Sequence, residues 1–232
     1  MATVSENEMT EAVDIFEKER LRVCLYALIF LAVLGITVSM FLTLGWTIAT
    51  FFTTVIMFVL CGYIIVRRDA LGAKFMVFCL VAGFVELLAD WYLIAIHQSL
   101  TYTPGGPFVW ASPLYMPFAW TVTLFMIGML ARWFDGRWGL AAATVVTGLL
   151  GATIWAYGET AAKYAGFWYY HDTPMLASSP YYIIFGEILV GAALPLTFRV
   201  LKRINWLASI GTGIVFGLWI FVAYWVGIQI FG

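Results

Sequence analysis

Seven apolar stretches, each about 20 residues long, dominate this sequence. They cover residues 22–42, 45–66, 72–97, 112–132, 138–157, 181–199 and 206–230. A helix needs about 20 mostly apolar residues to cross the hydrocarbon core of a bilayer. Only 11% of the residues are charged, against about 25% in an average soluble domain. The sequence therefore predicts an all-α polytopic membrane protein with seven transmembrane helices.

The distribution of basic residues predicts the orientation of these helices. All 12 lysines and arginines except Lys163 fall in the N-terminal segment or at alternate turns on one side of the membrane. Cytoplasmic loops carry an excess of such residues, so we expect a cytoplasmic N-terminus and an outward C-terminus. We expect the membrane to be a prokaryotic plasma membrane. We also expect residues 1–20 to form an acidic cytoplasmic segment and residues 21–232 a single domain. The net charge of -1 leaves no basic patch for nucleic acid.

Two outer connections, residues 98–111 and 158–180, are rich in aromatic residues, proline and glycine. We expect them to fold back onto the membrane surface, although a belt of aromatic residues at the interface would have a similar composition. The segment that follows the first, residues 112–120, shares four of nine positions with residues 179–187. This similarity predicts that helices 3–4 and 5–6 form a duplicated hairpin.

Three carboxylic acids lie inside predicted membrane helices: Glu86, Asp90 and Glu187. A charge at the bilayer centre costs about 2.5–3.5 kcal/mol on insertion scales, so such residues are usually functional or paired. Glu86 and Asp90 are four residues apart and share one helix face. Two close carboxylates in a medium of low dielectric constant form a general acid/base pair. The structural alternative is hydrogen bonding between helices. Glu159 precedes the second Ser-Pro pair much as Glu86 precedes the first.

The two histidines, His97 and His171, are both predicted on the outer side. Together with Asp90 and Asp172 they form an alternative ligand set for a transition metal. Their other predicted role is to polarise the carboxylates or to cap a cavity. No cofactor motif occurs in the sequence, so we expect no cofactor apart from this alternative metal.

The order of motifs from residue 80 to residue 195 resembles the carotenoid hydratase family and the related small membrane lycopene cyclases. The shared elements are a buried acid, a tyrosine-bearing loop with Pro-Phe, a proline-rich opening to the next helix, and a Gly-Phe-Trp element before a helix led by proline. In this chain they are Glu86, Tyr102, Pro107-Phe108, residues 113–120, residues 166–168 and Pro180. The chain departs from the pattern before its later helix, where the family has a Gly-x-Pro and an asparagine and this chain has Ser178-Ser179-Pro180. Its size and buried acids are also similar to those of the small integral-membrane terpene cyclases.

The resemblance implies an enzyme that protonates an alkene or epoxide of an isoprenoid lipid drawn from the membrane. Glu86 would be the general acid, Asp90 its proton-sharing partner, and Glu187 a second acid or base. Aromatic side chains would bind the substrate and stabilise a carbocation: Tyr102, Trp110, Tyr115, Trp120, Trp168, Tyr169 and Tyr182. Four further residues would play auxiliary roles: His97, Glu159, His171 and Asp172.

Three other functions fit parts of the pattern. A metal-dependent membrane oxidoreductase would use His97 and His171. A proton-coupled transporter would use Glu86, Asp90 and Glu187 as a proton relay, and it would need a polar path through the inner half of the bundle. The last alternative is a structural subunit of a larger complex.

Overall fold

The computed structural model describes residues 6–42 and 45–232. The chain is mostly helical, as predicted. The α-helices are α1 (Glu6–Phe30), α2 (Ile36–Phe41), α3 (Trp46–Arg67), α4 (Ala70–Trp91), α5 (Met116–Ala165), α6 (Tyr181–Leu201) and α7 (Trp206–Phe231), with π-helical turns at Leu31–Gly35 and Tyr92–Ile96. Six short strands lie between the helices: β1 (Leu100–Tyr102), β2 (Phe108–Val109), β3 (Ser112–Pro113), β4 (Trp168–Tyr170), β5 (Met175–Leu176) and β6 (Ser179–Pro180).

Five helical segments in the described part of the chain are long and apolar enough to cross a membrane. They are α3, α4 with the π-helical turn that follows it, α5, α6 and α7. The bounds of four of them agree closely with predicted stretches: α3, α4 with its π-helical turn, α6 and α7. Each of these stretches is a continuous apolar run that ends at polar or glycine-rich turns. These five helices are as expected of a helical membrane protein.

Helix α5 contains most of the predicted stretch 112–132 and all of the predicted stretch 138–157. At 1.5 Å per residue, its 50 residues would extend about 75 Å, more than twice the thickness of the hydrocarbon core. The helical path is broken at Gly139, which has φ 78° and ψ 168°. Glycine accepts this backbone conformation because it has no Cβ atom, so the chain can change direction there.

The predicted first stretch, residues 22–42, also differs from the structure. Helix α1 begins at Glu6 and runs through the expected boundary at residue 20, and the π-helical turn then interrupts the stretch. Charged residues near this boundary form ion pairs with the end of α3, with the turn that follows it and with α5. Arg20 pairs with the buried Asp69, Glu19 with Arg67 at 2.8 Å, and Glu17 with Arg132. These contacts join the middle of α1 to the end of α3, the start of α4 and the interior of α5.

The two outer connections pair with each other. Strand β1 runs antiparallel to β4, with Leu100 opposite Tyr170 and Tyr102 opposite Trp168. Each connection also contains its own small hairpin, β2–β3 in the first and β5–β6 in the second, and both hairpins end in Ser-Pro. The second connection is shorter than predicted because α5 continues to Ala165 and ends at Gly166 in the left-handed conformation.

Helix α7 packs closely against α4 through two glycines. A Cβ atom on Gly213 would lie 2.8 Å from the carbonyl oxygen of Phe78, and one on Gly217 would lie 2.5 Å from the Cβ of Val85. Small residues at such positions allow the backbones of membrane helices to approach each other. The contact places one face of α7 beside the acidic face of α4.

Candidate functional site

A cavity of about 660 Å³ lies between α1, α3, α4, α5, α6 and α7, next to the paired outer connections. This volume falls within the range of about 300–1,000 Å³ that is usual for small-molecule sites. Most of its wall is apolar, but four carboxylic acids line it: Glu86, Asp90, Glu159 and Glu187. No lysine, arginine or histidine of the described chain lines it. The structure therefore brings all three predicted catalytic acids to one cavity and adds Glu159.

Glu86 has no exposed surface, and neither of its carboxyl oxygens has a hydrogen-bond partner in the described structure. The side chains of Asp90 and Trp120 lie close to its carboxyl group, and the Glu187 carboxyl group also acts on it electrostatically. Buried polar atoms are nearly always paired, so an unpartnered carboxyl group on a cavity wall is free to interact with a ligand. Glu86 is thus the acid of this cavity that is best placed to exchange a proton with a bound molecule.

Asp90 is held by the first outer connection. Its Oδ2 atom accepts hydrogen bonds from the Tyr102 hydroxyl and the Ser112 hydroxyl, each at 2.7 Å. Burial, reinforced by the Asp90 carboxylate, raises the pKa of Tyr102 well above its usual value, which keeps this phenol protonated as a donor. The spacing of four residues predicted that Glu86 and Asp90 share one helix face. It could not predict that Tyr102 and Ser112 donate hydrogen bonds to Asp90.

Glu159 is held in the same way by the second outer connection. The Trp168 indole nitrogen donates to its Oε2 atom at 2.6 Å, and the Tyr170 hydroxyl donates to its Oε1 atom at 3.1 Å. Burial, followed by the charge of Glu159, raises the pKa of Tyr170, so this phenol also remains a donor. The structure thus makes Glu159, predicted only as auxiliary, part of the cavity wall.

Glu187 differs from Asp90 and Glu159 because one of its oxygens is free. Its Oε1 atom accepts a hydrogen bond from the Tyr224 hydroxyl of α7, and its Oε2 atom has no partner in the described structure. Sequence reasoning missed Tyr224, which lies in a continuous apolar run. Its spacing of seven residues from Gly217 is the signal that could have placed it on the packed face of α7.

Aromatic side chains form much of the remaining wall. Four of the predicted substrate-binding residues line the cavity: Tyr102, Tyr115, Trp120 and Trp168. The Trp120 ring packs against Trp155 at a centroid distance of 5.7 Å and against Tyr224 at 6.5 Å. Six aromatic residues of the wall were not predicted to bind substrate: Phe52, Trp155, Tyr157, Phe167, Tyr170 and Tyr224.

Three predicted substrate-binding residues lie outside the cavity wall. Trp110 is 59% exposed and stacks on Trp91 at 5.4 Å. Tyr169 points away because it alternates along β4 with Trp168 and Tyr170, and it is 44% exposed. Tyr182 is buried, but its hydroxyl is hydrogen-bonded to Ser99 at 2.7 Å.

The residues of the alternative metal site are not assembled. No group of three or more His, Cys, Asp or Glu side chains suited to a metal occurs within residues 6–42 and 45–232. His97 packs against Tyr182 at 5.6 Å, and burial lowers its pKa. His171 is exposed and hydrogen-bonds with the Thr101 hydroxyl at 2.8 Å, while Asp172 lies in an exposed turn with φ 46°. Asp90 is instead occupied by its two hydroxyl donors.

Comparisons with known proteins complete this description. Neither a curated protein nor a solved structure matches the chain. One family model matches residues 87–231, more than half of the chain, and its description is Domain of unknown function (DUF6989). The matched region contains Asp90, Glu159, Glu187 and both outer connections, and it begins one residue after Glu86. The chain belongs to the DUF6989 family.

Proposed function

We propose that this chain is a membrane-embedded enzyme, a terpenoid cyclase or hydratase, that protonates an alkene or epoxide of an isoprenoid lipid. The observation that carries the proposal is the Glu86 carboxyl group, which is fully buried and unpartnered on the wall of a cavity lined by aromatic rings. A positioned carboxylic acid is a suitable proton donor in such a water-poor site. The resemblance to carotenoid hydratases and small terpene cyclases supports the same chemistry.

In the proposed reaction, the O–H bond of neutral Glu86 breaks. At an alkene the π bond breaks and a C–H bond forms, whereas at an epoxide an O–H bond forms and a C–O bond of the ring opens. The substrate becomes a carbocation and Glu86 a carboxylate. In a cyclase, another alkene of the chain attacks the cation, and a carboxylate removes a proton from a neighbouring carbon. Glu187 suits this last step because its Oε2 atom is unpartnered. The product is then an isomer of the substrate.

In a hydratase, a water molecule attacks the cation and loses a proton to a carboxylate, so the product gains one water. Asp90 and Glu159 are held by two donors each, and we assign them positioning and electrostatic roles. Asp90 would share one proton with Glu86, which lies four residues away on the same helix face. This assignment retains Asp90 as the proton-sharing partner of Glu86.

The aromatic wall would stabilise the cation. The faces of Trp120, Trp155 and Tyr224 lie together beside the acids. Each cation–π contact contributes about 0.5–2 kcal/mol, with the larger values in desolvated sites. The apolar remainder of the wall would bind the hydrocarbon chain and exclude surplus water.

We further propose seven membrane crossings, with the N-terminus cytoplasmic, in a prokaryotic plasma membrane. The break at Gly139 would divide α5 into two crossings, and α1 with α2 would supply the first. The ion pairs of Arg20, Arg67 and Arg132 gather at the same end of the bundle, as expected of the side rich in basic residues.

The contacts of the outer connections support the proposed duplication of the helical hairpin. Asp90 accepts a hydrogen bond from Tyr102 of β1, and Glu159 accepts one from Tyr170 of β4. Each connection then forms a two-residue hairpin that ends in Ser-Pro. These contacts relate Glu159 to Asp90, rather than to Glu86 as the spacing in the sequence indicated.

The transporter alternative receives less support from the structure. A proton relay would need polar groups in the inner half of the bundle, below Glu86. There, Phe75, Phe78 and Phe198 are fully buried and pack on one another at centroid distances of 4.7 and 5.8 Å. A cluster of aromatic rings offers no polar groups to carry a proton through the inner half of the bundle.

The test is mass spectrometry of lipid extracts from an isoprenoid-producing bacterium that expresses the chain or its Glu86→Gln variant. A new isoprenoid of unchanged mass and altered retention indicates a cyclase, and a gain of one water indicates a hydratase. Either product should disappear in Glu86→Gln and persist in Glu19→Gln, which removes a carboxylate that pairs with Arg67 outside the cavity. Undiminished product in Glu86→Gln would exclude Glu86 as the acid, and a gain of one oxygen atom would favour the oxidoreductase.

A further inference from the structure

A second cavity, of about 380 Å³, lies between α3, the β2–β3 hairpin and the start of α5. Two residues, Thr53 and Tyr115, line both this cavity and the larger one. They therefore form the partition between the two spaces. None of the four acids lines the second cavity, so the chemistry proposed above does not account for it.

The wall of the second cavity carries several neutral hydroxyl groups. Thr50, Thr53 and Thr54 contribute them from one side of α3, and Thr103 and Tyr115 contribute them from the outer connection. The Thr103 and Tyr115 hydroxyl oxygens are buried without a hydrogen-bond partner in the described structure, and the Tyr115 residue is only 6% exposed. An unsatisfied buried hydroxyl group is costly. These two groups point to a ligand that supplies the missing partner.

The charge of the wall restricts the chemistry of this ligand. No carboxylate, ammonium or guanidinium group lines the second cavity within the described chain. A phosphate would therefore have no cation to neutralise it, whereas a hydroxyl, carbonyl or ether oxygen would match the threonine and tyrosine hydroxyls. The ligand group is thus neutral and contains oxygen.

The rim of the second cavity is apolar and exposed. Phe58, Phe108 and Leu114 line the cavity, and their exposed fractions are 74%, 46% and 41%. On a helix bundle within a bilayer, exposed apolar side chains contact lipid. A lipid-phase molecule can therefore reach this cavity from the membrane without crossing water.

We propose that the second cavity binds a neutral, oxygen-bearing end group of the same isoprenoid lipid, whose chain passes Tyr115 and Thr53 into the cavity that contains Glu86. This inference rests on the proposed function and specifies its substrate class: an isoprenoid alcohol, ketone or ether rather than a pure hydrocarbon or a diphosphate. Tyr115 and Thr103 are the specificity-determining residues, because their hydroxyls contact the oxygen.

The test is photoaffinity labelling of the purified full-length protein in phosphatidylcholine nanodiscs. The probe is farnesol with a diazirine near its hydroxyl end, and the labelled peptides are mapped by mass spectrometry. We expect labelling of residues 50–61 and 103–115, with unlabelled farnesol competing at least about fivefold better than farnesene, its hydrocarbon counterpart. Thr103→Val and Tyr115→Phe should each weaken the farnesol competition about fivefold, the effect of one lost hydrogen bond, and leave farnesene unchanged. The matched control is Thr212→Val, whose exposed hydroxyl already bonds to the Ala208 carbonyl.

Three results would overturn the proposal: labelling elsewhere, equal competition by farnesol and farnesene, or unchanged competition in both hydroxyl-deleting variants. Displacement of the probe by added phosphatidylcholine but not by farnesol would identify a site for bulk lipid instead. The Glu86→Gln variant separates this inference from the proposed reaction, because it should lose product formation and keep the labelling pattern.

Discussion

The hydrogen bond from Tyr102 to Asp90 yields a quantitative prediction. The Tyr102 hydroxyl donates to Asp90 Oδ2 at 2.7 Å, and both residues are at least nine-tenths buried. A hydrogen bond to a charged group contributes about 1.5–3 kcal/mol, against about 0.5–1.5 kcal/mol between neutral groups. Tyr102→Phe removes the donor and retains the ring. If Asp90 is a carboxylate, we expect the free energy of unfolding to fall by about 1.5–3 kcal/mol.

The assay is equilibrium unfolding of the purified protein in mixed micelles of dodecyl maltoside and SDS, followed by tryptophan fluorescence. A double-mutant cycle with Asp90→Asn separates the pairwise interaction from the loss of each group alone. We expect a coupling energy of at least about 1 kcal/mol between Tyr102→Phe and Asp90→Asn. Tyr169→Phe is the control, because this exposed tyrosine lies one position from Trp168 and faces away from the cavity.

Additive effects of the two substitutions would refute the reasoning. They would mean that the Tyr102–Asp90 bond contributes nothing beyond the packing of the two side chains. A coupling energy below about 1 kcal/mol but above the error would instead indicate a neutral Asp90, because hydrogen bonds between neutral groups contribute about 0.5–1.5 kcal/mol and hydrogen bonds between membrane helices average about 0.6 kcal/mol. The measured value therefore reports the charge of Asp90 in the folded protein.

Three further predictions concern packing, the inner ion pairs and pH. Gly217→Leu should lower the thermal unfolding temperature, because even a Cβ atom there would lie 2.5 Å from Val85 and overpacking costs about 1–3 kcal/mol. Asp69→Asn should destabilise the protein by about 3–5 kcal/mol in mixed-micelle unfolding, since it leaves the buried Arg20 without its counter-ion. Burial lowers the pKa of His97 from 6.5, so its contribution to the stability of the folded protein is present above pH 6.5 and is lost as the pH falls below that value. The His97→Gln variant should therefore show a smaller slope of unfolding free energy against pH between pH 6.5 and 5.

Matched variants check the first two of these predictions. Gly211→Ala introduces a Cβ atom into open space on the same helix and should leave the unfolding temperature unchanged. Glu19→Gln breaks the exposed pair with Arg67 and should cost less than about 1 kcal/mol. Equal losses for Asp69→Asn and Glu19→Gln would contradict the assignment of the Arg20 pair as the dominant inner contact.

Features of the site that depend on local periodicity could be predicted from the sequence. Glu86 and Asp90 lie four residues apart on one helix, so helical geometry alone places them on one face. The apolar length of α3, α6 and α7 is likewise a local property. The position of Glu187 on the same cavity followed from its depth in its helix, counted from the outer end.

Features that depend on contacts between distant segments could not be predicted. The pairing of β1 with β4 determines which loop side chains face the cavity, so Tyr102 and Trp168 point inward while Tyr169 points outward. The composition of the loops contains no information on this register. The sequence predicted a turn between residues 132 and 138, whereas the structure continues the helix through these residues and places the break at Gly139.

Because β1 pairs with β4, the cavity can be completed only after much of the chain has been synthesised. Residue 168 leaves the ribosome 66 residues after Tyr102, which corresponds to roughly 3–13 s at about 5–20 residues per second. During that interval α4 is already made, yet the second outer connection, Glu187 and Tyr224 do not exist. During this interval Glu86 and Asp90 lie in an incomplete helix bundle, so water or the insertion machinery has to solvate their carboxyl groups. A nascent chain arrested between residues 130 and 165 would show this delay as a helix α4 that is still accessible to the translocation channel.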